Sequence, residues 1–171
     1  MLNFLGSAGA RRKTVTALYD QLVSRSRAPV FYAKLGVPDT IDGRFDLLAL
    51  HAFLLLERLR DAGAPELAQG IMDSMFVGMD EGLRDLGAGD MGMGRKMKSL
   101  ANAFYGRMKA YGDASDEAAL AQAIQRNIYR EQPGGETASV TLAAYASAAR
   151  AALKHADVAQ GVVDFGSLPQ A

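Results

Sequence analysis

Apolar residues recur along the chain at spacings of three and four, the period of helices that bury one face. From Thr14 to about Arg25, Val15, Leu18, Leu22 and Val23 share such a face. Pro29 suits the first turn of a shorter helix carrying Phe31, Tyr32 and Leu35, and Gly36 ends it. The stretch "VPDTIDGRF" reads as a loop through Pro38, Asp39, Asp42 and Gly43. Beyond it, in "RFDLLALHAFLLLERLRDAG", the run from Leu47 to Leu56 is interrupted only by His51. A helix apolar almost all round needs cover on several sides, which predicts a central position. Gly63 predicts its end, and Pro65 the start of the next helix.

Leu67, Ile71, Met75, Met79 and Leu83 form one stripe of a helix from Glu66 to about Leu86, closed by Gly87. Met93, Met97, Leu100, Phe104, Met108 and Tyr111 predict another over Arg95 to Tyr111. Asp116 or Ser115 caps a helix running to about Arg130, and "QPGGE" is a turn. Thr137 to Lys154 is a last, alanine-rich helix, whose small side chains suit either close packing or weak, partly exposed packing. Clean alternation is absent, so the pattern predicts an all-α, single-domain helical bundle of about six to seven helices. Residues 1–13 are expected to form a basic flexible N-terminus, 14–155 the helical domain, and 156–171 a loosely held tail.

With 171 residues, 49% of them hydrophobic and 22% charged, the chain suits one folded domain and neither disorder nor a fibrous repeat. The lack of cysteine removes disulfides, thiolate metal sites and a cysteine nucleophile together. His51 and His155 are the whole histidine complement. The opening "MLNFLGSAGARRKTV" places apolar residues before Arg11, Arg12 and Lys13, the reverse of a signal peptide, and no apolar run reaches membrane-spanning length. The expectation is a cytoplasmic protein, with Leu2, Phe4 and Leu5 beside the basic cluster offering at most a weak, peripheral membrane contact. Net charge is zero, yet it alternates in blocks: +5 over residues 1–35, −7 over 36–91, +4 over 92–130 and −2 thereafter.

Gly87-x-Gly89-x-x-Gly92 has the spacing of a dinucleotide-binding loop. That fingerprint works between a strand and a helix, whereas "MDEGLRDL" before Gly87 is a helical pattern. The glycines read instead as a helix stop and a turn, with Asp90 capping the next helix, although Arg95, Lys96 and Lys98 could meet an acidic group there. His51 lacks a second ligand at helical spacing and reads as a histidine hydrogen-bonded inside the bundle. Asp39, Asp42 and Asp46 read as turn and capping residues. Asp80, Glu81, Asp85 and Asp90 do not make the repeated acidic motifs of an isoprenoid synthase. Seven of the eight methionines fall between Met72 and Met108, mostly as core filler, with Met91 and Met93 expected at the surface.

Taken in order, "FYAKLGVPDTIDGRFDLLALHAFLLLERLR", "MDEGLRDLGAGDMGMGRKMKSLANAFYGRMKAY" and "LAQAIQRNIY" resemble the ubiquinol-cytochrome c chaperone family of mitochondria and α-proteobacteria. The resemblance implies an all-α assembly factor that binds newly made cytochrome b and assists its entry into the cytochrome bc1 complex, without enzymatic turnover, catalytic residue or cofactor. The expectation beside it is a bacterial cytoplasmic monomer, at most peripheral at the inner membrane, with the ribosome as an optional partner and no specific DNA binding. Among the positions that match, Phe31, Phe45 and His51 are expected in the core. Arg84, Asp90, Lys96 and Arg107 are expected to face a partner, and with Met91, Met93, Arg95 and Tyr105 they form the candidate partner-binding set. The rival readings are a ribosome- or RNA-associated adaptor built on the basic segments, and an isoprenoid-synthase-like helical enzyme.

Overall fold

The structure, a computed structural model, describes residues 2–85, 90–130, 132 and 134–170. Those residues form α1 (Leu2–Ser26), α2 (Pro29–Ala33), α3 (Ile41–Asp61), α4 (Pro65–Asp85), α5 (Asp90–Gly112), α6 (Glu117–Asn127), α7 (Gly135–Leu153) and a 3₁₀ turn, Val158–Gln160. No strand occurs among them. Helix α3 is central as its pattern predicts: Leu47, Leu50, Leu54, Leu55 and Leu59 are buried, and α1, α4, α5 and α7 all pack on it. The alanines of α7 settle as close packing, because Ala143, Ala146 and Ala149 have no exposed surface and α6 lies directly against α7.

The boundaries differ from the sequence pattern at α1, α3 and the tail, and α5 begins at Asp90 rather than Arg95. Helix α1 starts at Leu2 rather than Thr14, since Ala8, Ala10 and the basic run that follows are acceptable helix residues even with no apolar stripe to reveal them. Helix α3 starts at Ile41, inside the stretch read as a loop. Thr40 is its N-cap, accepting a hydrogen bond from the Gly43 N–H at 3.1 Å, and Gly43 is buried where a Cβ would lie 1.9 Å from the Pro38 carbonyl oxygen. The residues after Ala156 are not loosely held. Gln21 donates to the Gly161 carbonyl (2.7 Å) and accepts from the Val163 N–H (3.0 Å), Arg25 donates to the Gly166 carbonyl (2.6 Å), and Phe165 is buried. An extended tail fixed through its backbone by side chains from α1 leaves no periodicity to read.

Two polar side chains of α3 are fully buried, and each ties distant segments together. His51 lies among Phe31, Tyr145 and Phe165, with ring centroids 5.3, 5.6 and 5.4 Å away. Its Nδ1 is 2.8 Å from the Leu47 carbonyl, which can only accept, so Nδ1 carries the proton and Nε2 accepts from the Tyr145 hydroxyl at 2.9 Å. Asp46 is the second. Arg107 Nε of α5 donates to Asp46 Oδ1 at 2.8 Å, and Arg130 Nη2, just past α6, lies 3.0 Å from Oδ2. Burial raises the Asp46 carboxyl above its ordinary range, and the two guanidinium groups draw it back only in part. Reading Asp46 as a turn residue is therefore corrected: it is the buried centre of an ion network spanning α3, α5 and the end of α6.

Burial lowers the His51 pKa from an ordinary 6.5 to about 4. The unfolded chain thus takes up a proton at a pH where the folded one cannot, so stability is lost as pH falls from 6.5 towards 4. Urea unfolding of wild type and His51→Gln across that window is expected to show an advantage for wild type at pH 7 that shrinks on acidification by on the order of 3 kcal/mol; parallel profiles would refute it. Asp46→Ala leaves Arg107 without its counter-charge and is expected to cost on the order of 3 kcal/mol, whereas Asp46→Leu combined with Arg107→Met recovers most of that loss in the same assay.

Candidate functional site

Helices α1 and α4 approach closely because α4 carries glycines where α1 crosses it. A Cβ on Gly70 would sit 2.5 Å from Val15 Cγ2, and one on Gly78 would sit 2.7 Å from the Tyr19 hydroxyl. One turn later, at Gly82, no atom of the described residues outside its own helix lies within 4 Å of the corresponding position. Here the cover over α4 ends, and a groove of about 790 Å³ opens between α1, α3, α4 and the side of α5. Val23, Phe45, Leu48, Met79, Leu83 and Leu100 give it an apolar lining, and the exposed Ile41 stands at its edge.

The floor is held from behind. Arg107, while bound to Asp46, places its guanidinium carbon 4.9 Å from the centre of the Phe45 ring. Phe45 therefore has the ion network on one side and the groove on the other. Charges stand around the apolar lining. Arg44 is paired with Asp39 at 2.7 Å, while Asp20, Glu81 and Asp85 join no ion pair among the described residues. Burial raises the pKa of the Tyr19 hydroxyl between them, with Arg27 opposing and Glu81 and Asp20 reinforcing the rise. A second hollow, between α1 and the tail, is lined by Gln21, Arg25, Val163 and Gly166, whose polar groups are already engaged in holding the tail.

The predicted partner-binding residues do not gather on this groove. Arg107 turns inward, its side chain 13% exposed, because Asp46 claims it. Met93, expected at the surface, is 6% exposed and belongs to the buried set. Arg84 is exposed in the last turn of α4 and donates to Asp80 at 2.8 Å. Arg95 and Lys96 are exposed early in α5, and Tyr105 is 55% exposed beside Phe76 and Phe104. Asp90 and Met91 open α5, and their side chains lie outside the described residues, as do Gly87 and Gly89. Gly92 is not in a turn: α5 already includes it. With α4 helical to Asp85, the strand that a dinucleotide loop needs is not what precedes these glycines.

Sequence reading missed Asp20, Val23, Leu48 and Gly82. The available signal was the spacing Gly70, Ser74, Gly78, Gly82, a small residue at every fourth position of α4, which marks a face open to close approach. Among the described residues no group of three or more His, Asp or Glu could hold a metal ion, and no helix is long and apolar enough to cross a membrane.

The family model of the ubiquinol-cytochrome C chaperone matches residues 33–162. The ubiquinol-cytochrome-c reductase complex assembly factor 1 of Xenopus laevis is 27% identical over 119 residues, spanning 67% of this chain and 60% of that protein. Its Mus musculus counterpart is 24% identical over 119 residues, 67% of this chain and 40% of that protein, so the chain covers less than two thirds of either relative. The crystal structure of the Cbp3 homolog from Brucella abortus superposes with a TM-score of 0.83 at 38% identity, covering 96% of each chain. By the match over residues 33–162 and the shared fold at 38% identity, the chain belongs to the ubiquinol-cytochrome C chaperone family.

Proposed function

We propose that this chain is an assembly chaperone that binds newly synthesised cytochrome b and assists its incorporation into the cytochrome bc1 complex, with no catalytic turnover. The observation that carries the reading is the family match over residues 33–162 together with a solved family-type fold that covers 96% of the chain. Two relatives are named as assembly factors of the ubiquinol-cytochrome-c reductase complex, and the client is carried over from that likeness. The physical support is the groove. A membrane-protein client emerging into water needs apolar surface to lie against, and the groove offers apolar side chains in an open trough with a charged edge.

This assigns client contact to the α1/α3/α4 groove, with the exposed Arg84, Arg95, Lys96 and Tyr105 on the α4–α5 side as a second, flanking contact. The protein acts in this reading as a bacterial cytoplasmic monomer, at the inner membrane surface while loaded and close to the ribosome that makes the client. Arg107 leaves the contact set, since Asp46 holds it inside the fold.

The test is capture of cytochrome b from native membranes by tagged wild type and by Met79→Glu/Leu83→Glu, two half-buried groove positions. Circular dichroism establishes that the variant is folded. The captured amount is expected to fall at least about tenfold, because each carboxylate must be desolvated against an apolar helix. Undiminished capture moves the client off the groove. A wild type that brings down ribosomal RNA in a steeply salt-dependent manner, and no cytochrome b, points to the adaptor reading instead.

A further inference from the structure

The groove is asymmetric in charge. Asp20 on α1 and Glu81 and Asp85 on α4 line it without an ion-pair partner among the described residues. Of the two lining arginines, Arg44 is neutralised by Asp39 at 2.7 Å, and Arg27 lies within electrostatic reach of the same Tyr19 hydroxyl that Asp20 and Glu81 act upon. The balance around the apolar lining is negative. Beside these carboxylates α4 presents Gly82, where a Cβ would have no neighbour within 4 Å among the described residues.

We infer that the groove is built for one kind of occupant, an apolar helix that ends in lysine or arginine, with its apolar face crossing α4 at Gly82 and its basic end against Asp20, Glu81 and Asp85. The apolar part follows from the lining of Val23, Leu48, Met79 and Leu83. The basic end follows from charge complementarity, which sets orientation and suppresses wrong partners more than it adds affinity. The close crossing follows from the space above Gly82, since small residues let helix backbones approach. An apolar helix with lysine and arginine at one end is also the character of a membrane span at its cytoplasmic boundary. The groove so described selects one end and one orientation of such a segment. An acidic-ended helix is rejected by the same carboxylates.

The inference rests on the groove being the client site, and its test is separate from capture of cytochrome b. The probes are two fluorescein-labelled Leu/Ala/Ser helical peptides of about 18 residues, one ending in three lysines and the other in three glutamates, titrated at low ionic strength. Wild type is expected to bind the lysine-ended peptide about tenfold more tightly, the sum of three weak exposed charge pairs. Asp20→Asn/Glu81→Gln/Asp85→Asn is expected to bring the two affinities within about twofold of each other, and 0.5 M salt to do the same.

Gly82→Leu is expected to weaken both peptides by at least about tenfold, since its side chain fills the crossing point. Leucine is a better helix former than glycine at this exposed position, and a Cβ there meets nothing within 4 Å among the described residues, so an unchanged or raised Tm is expected to accompany the loss. Equal wild-type affinity for both peptides, no binding of either, or full binding by Gly82→Leu overturns the inference. Cytochrome b captured normally by wild type alongside any of those results leaves the functional reading standing and removes this one alone. Failure of capture with peptide discrimination intact does the reverse.

Discussion

Helix α3 carries apolar side chains around almost its whole circumference, and the other long helices are placed by the need to cover it. A helix of this kind in water exposes surface worth roughly 25 cal/mol per Å², so every uncovered side is a direct loss of stability. Helices α1, α4, α5 and α7 close around it, and the tail supplies Phe165 to finish the wall next to His51. The cost of so apolar a centre is weak specification of register, because leucines meet leucines in many arrangements. His51 and Asp46, fully buried on α3, supply that specification: one can be satisfied only by Tyr145 on α7, the other only by Arg107 and Arg130. A wrongly rotated α3 would leave a desolvated carboxylate or imidazole without its partner.

The helical class, the central helix, the glycine and proline boundaries at Gly63 and Pro65, and the inward His51 were all legible from periodicity and turn chemistry. What failed did so for physical reasons that single-sequence patterns do not carry. Arg107 read as a partner-facing cation because basic residues are usually solvated, and nothing local announces that a carboxylate 61 positions earlier waits for it. Met93 read as a surface residue from the glycines around it, yet it points to the buried side of α5. The tail read as loose because extended backbone bound by Gln21 and Arg25 has no period. The groove was half visible. Its lining residues are ordinary members of helical stripes, and only the four-residue spacing of small residues on α4 marks where neighbouring cover stops.

The groove and the core share parts. Phe45 is stacked under Arg107, which is fixed by Asp46, which is also bound by Arg130 from the far end of α6. The floor of an open apolar trough is thereby supported by a charge network centred on a buried carboxylate, so the half-buried aromatic does not need a partner to hold its rotamer. This arrangement ties the groove's floor to the core through Asp46 and Arg107, while the edge carboxylates Asp20, Glu81 and Asp85 can vary without touching that pair.

An open apolar surface is also one on which copies of this chain could associate, and the physical answer lies in the charges around it. Asp20, Glu81 and Asp85 outnumber Arg27 and Arg44 around the apolar patch, so two such grooves face to face would meet with the same net sign of charge. An occupant with a basic end relieves that repulsion, whereas a second copy increases it. The groove's openness completes the reasoning. It offers apolar contact and a few screened charge pairs, so a helix bound there as proposed would be held reversibly and could be surrendered to helices that offer it more complete burial. Under the proposed function, what would drive transfer is a final assembly in which the client's apolar surface is better covered than it was in the groove.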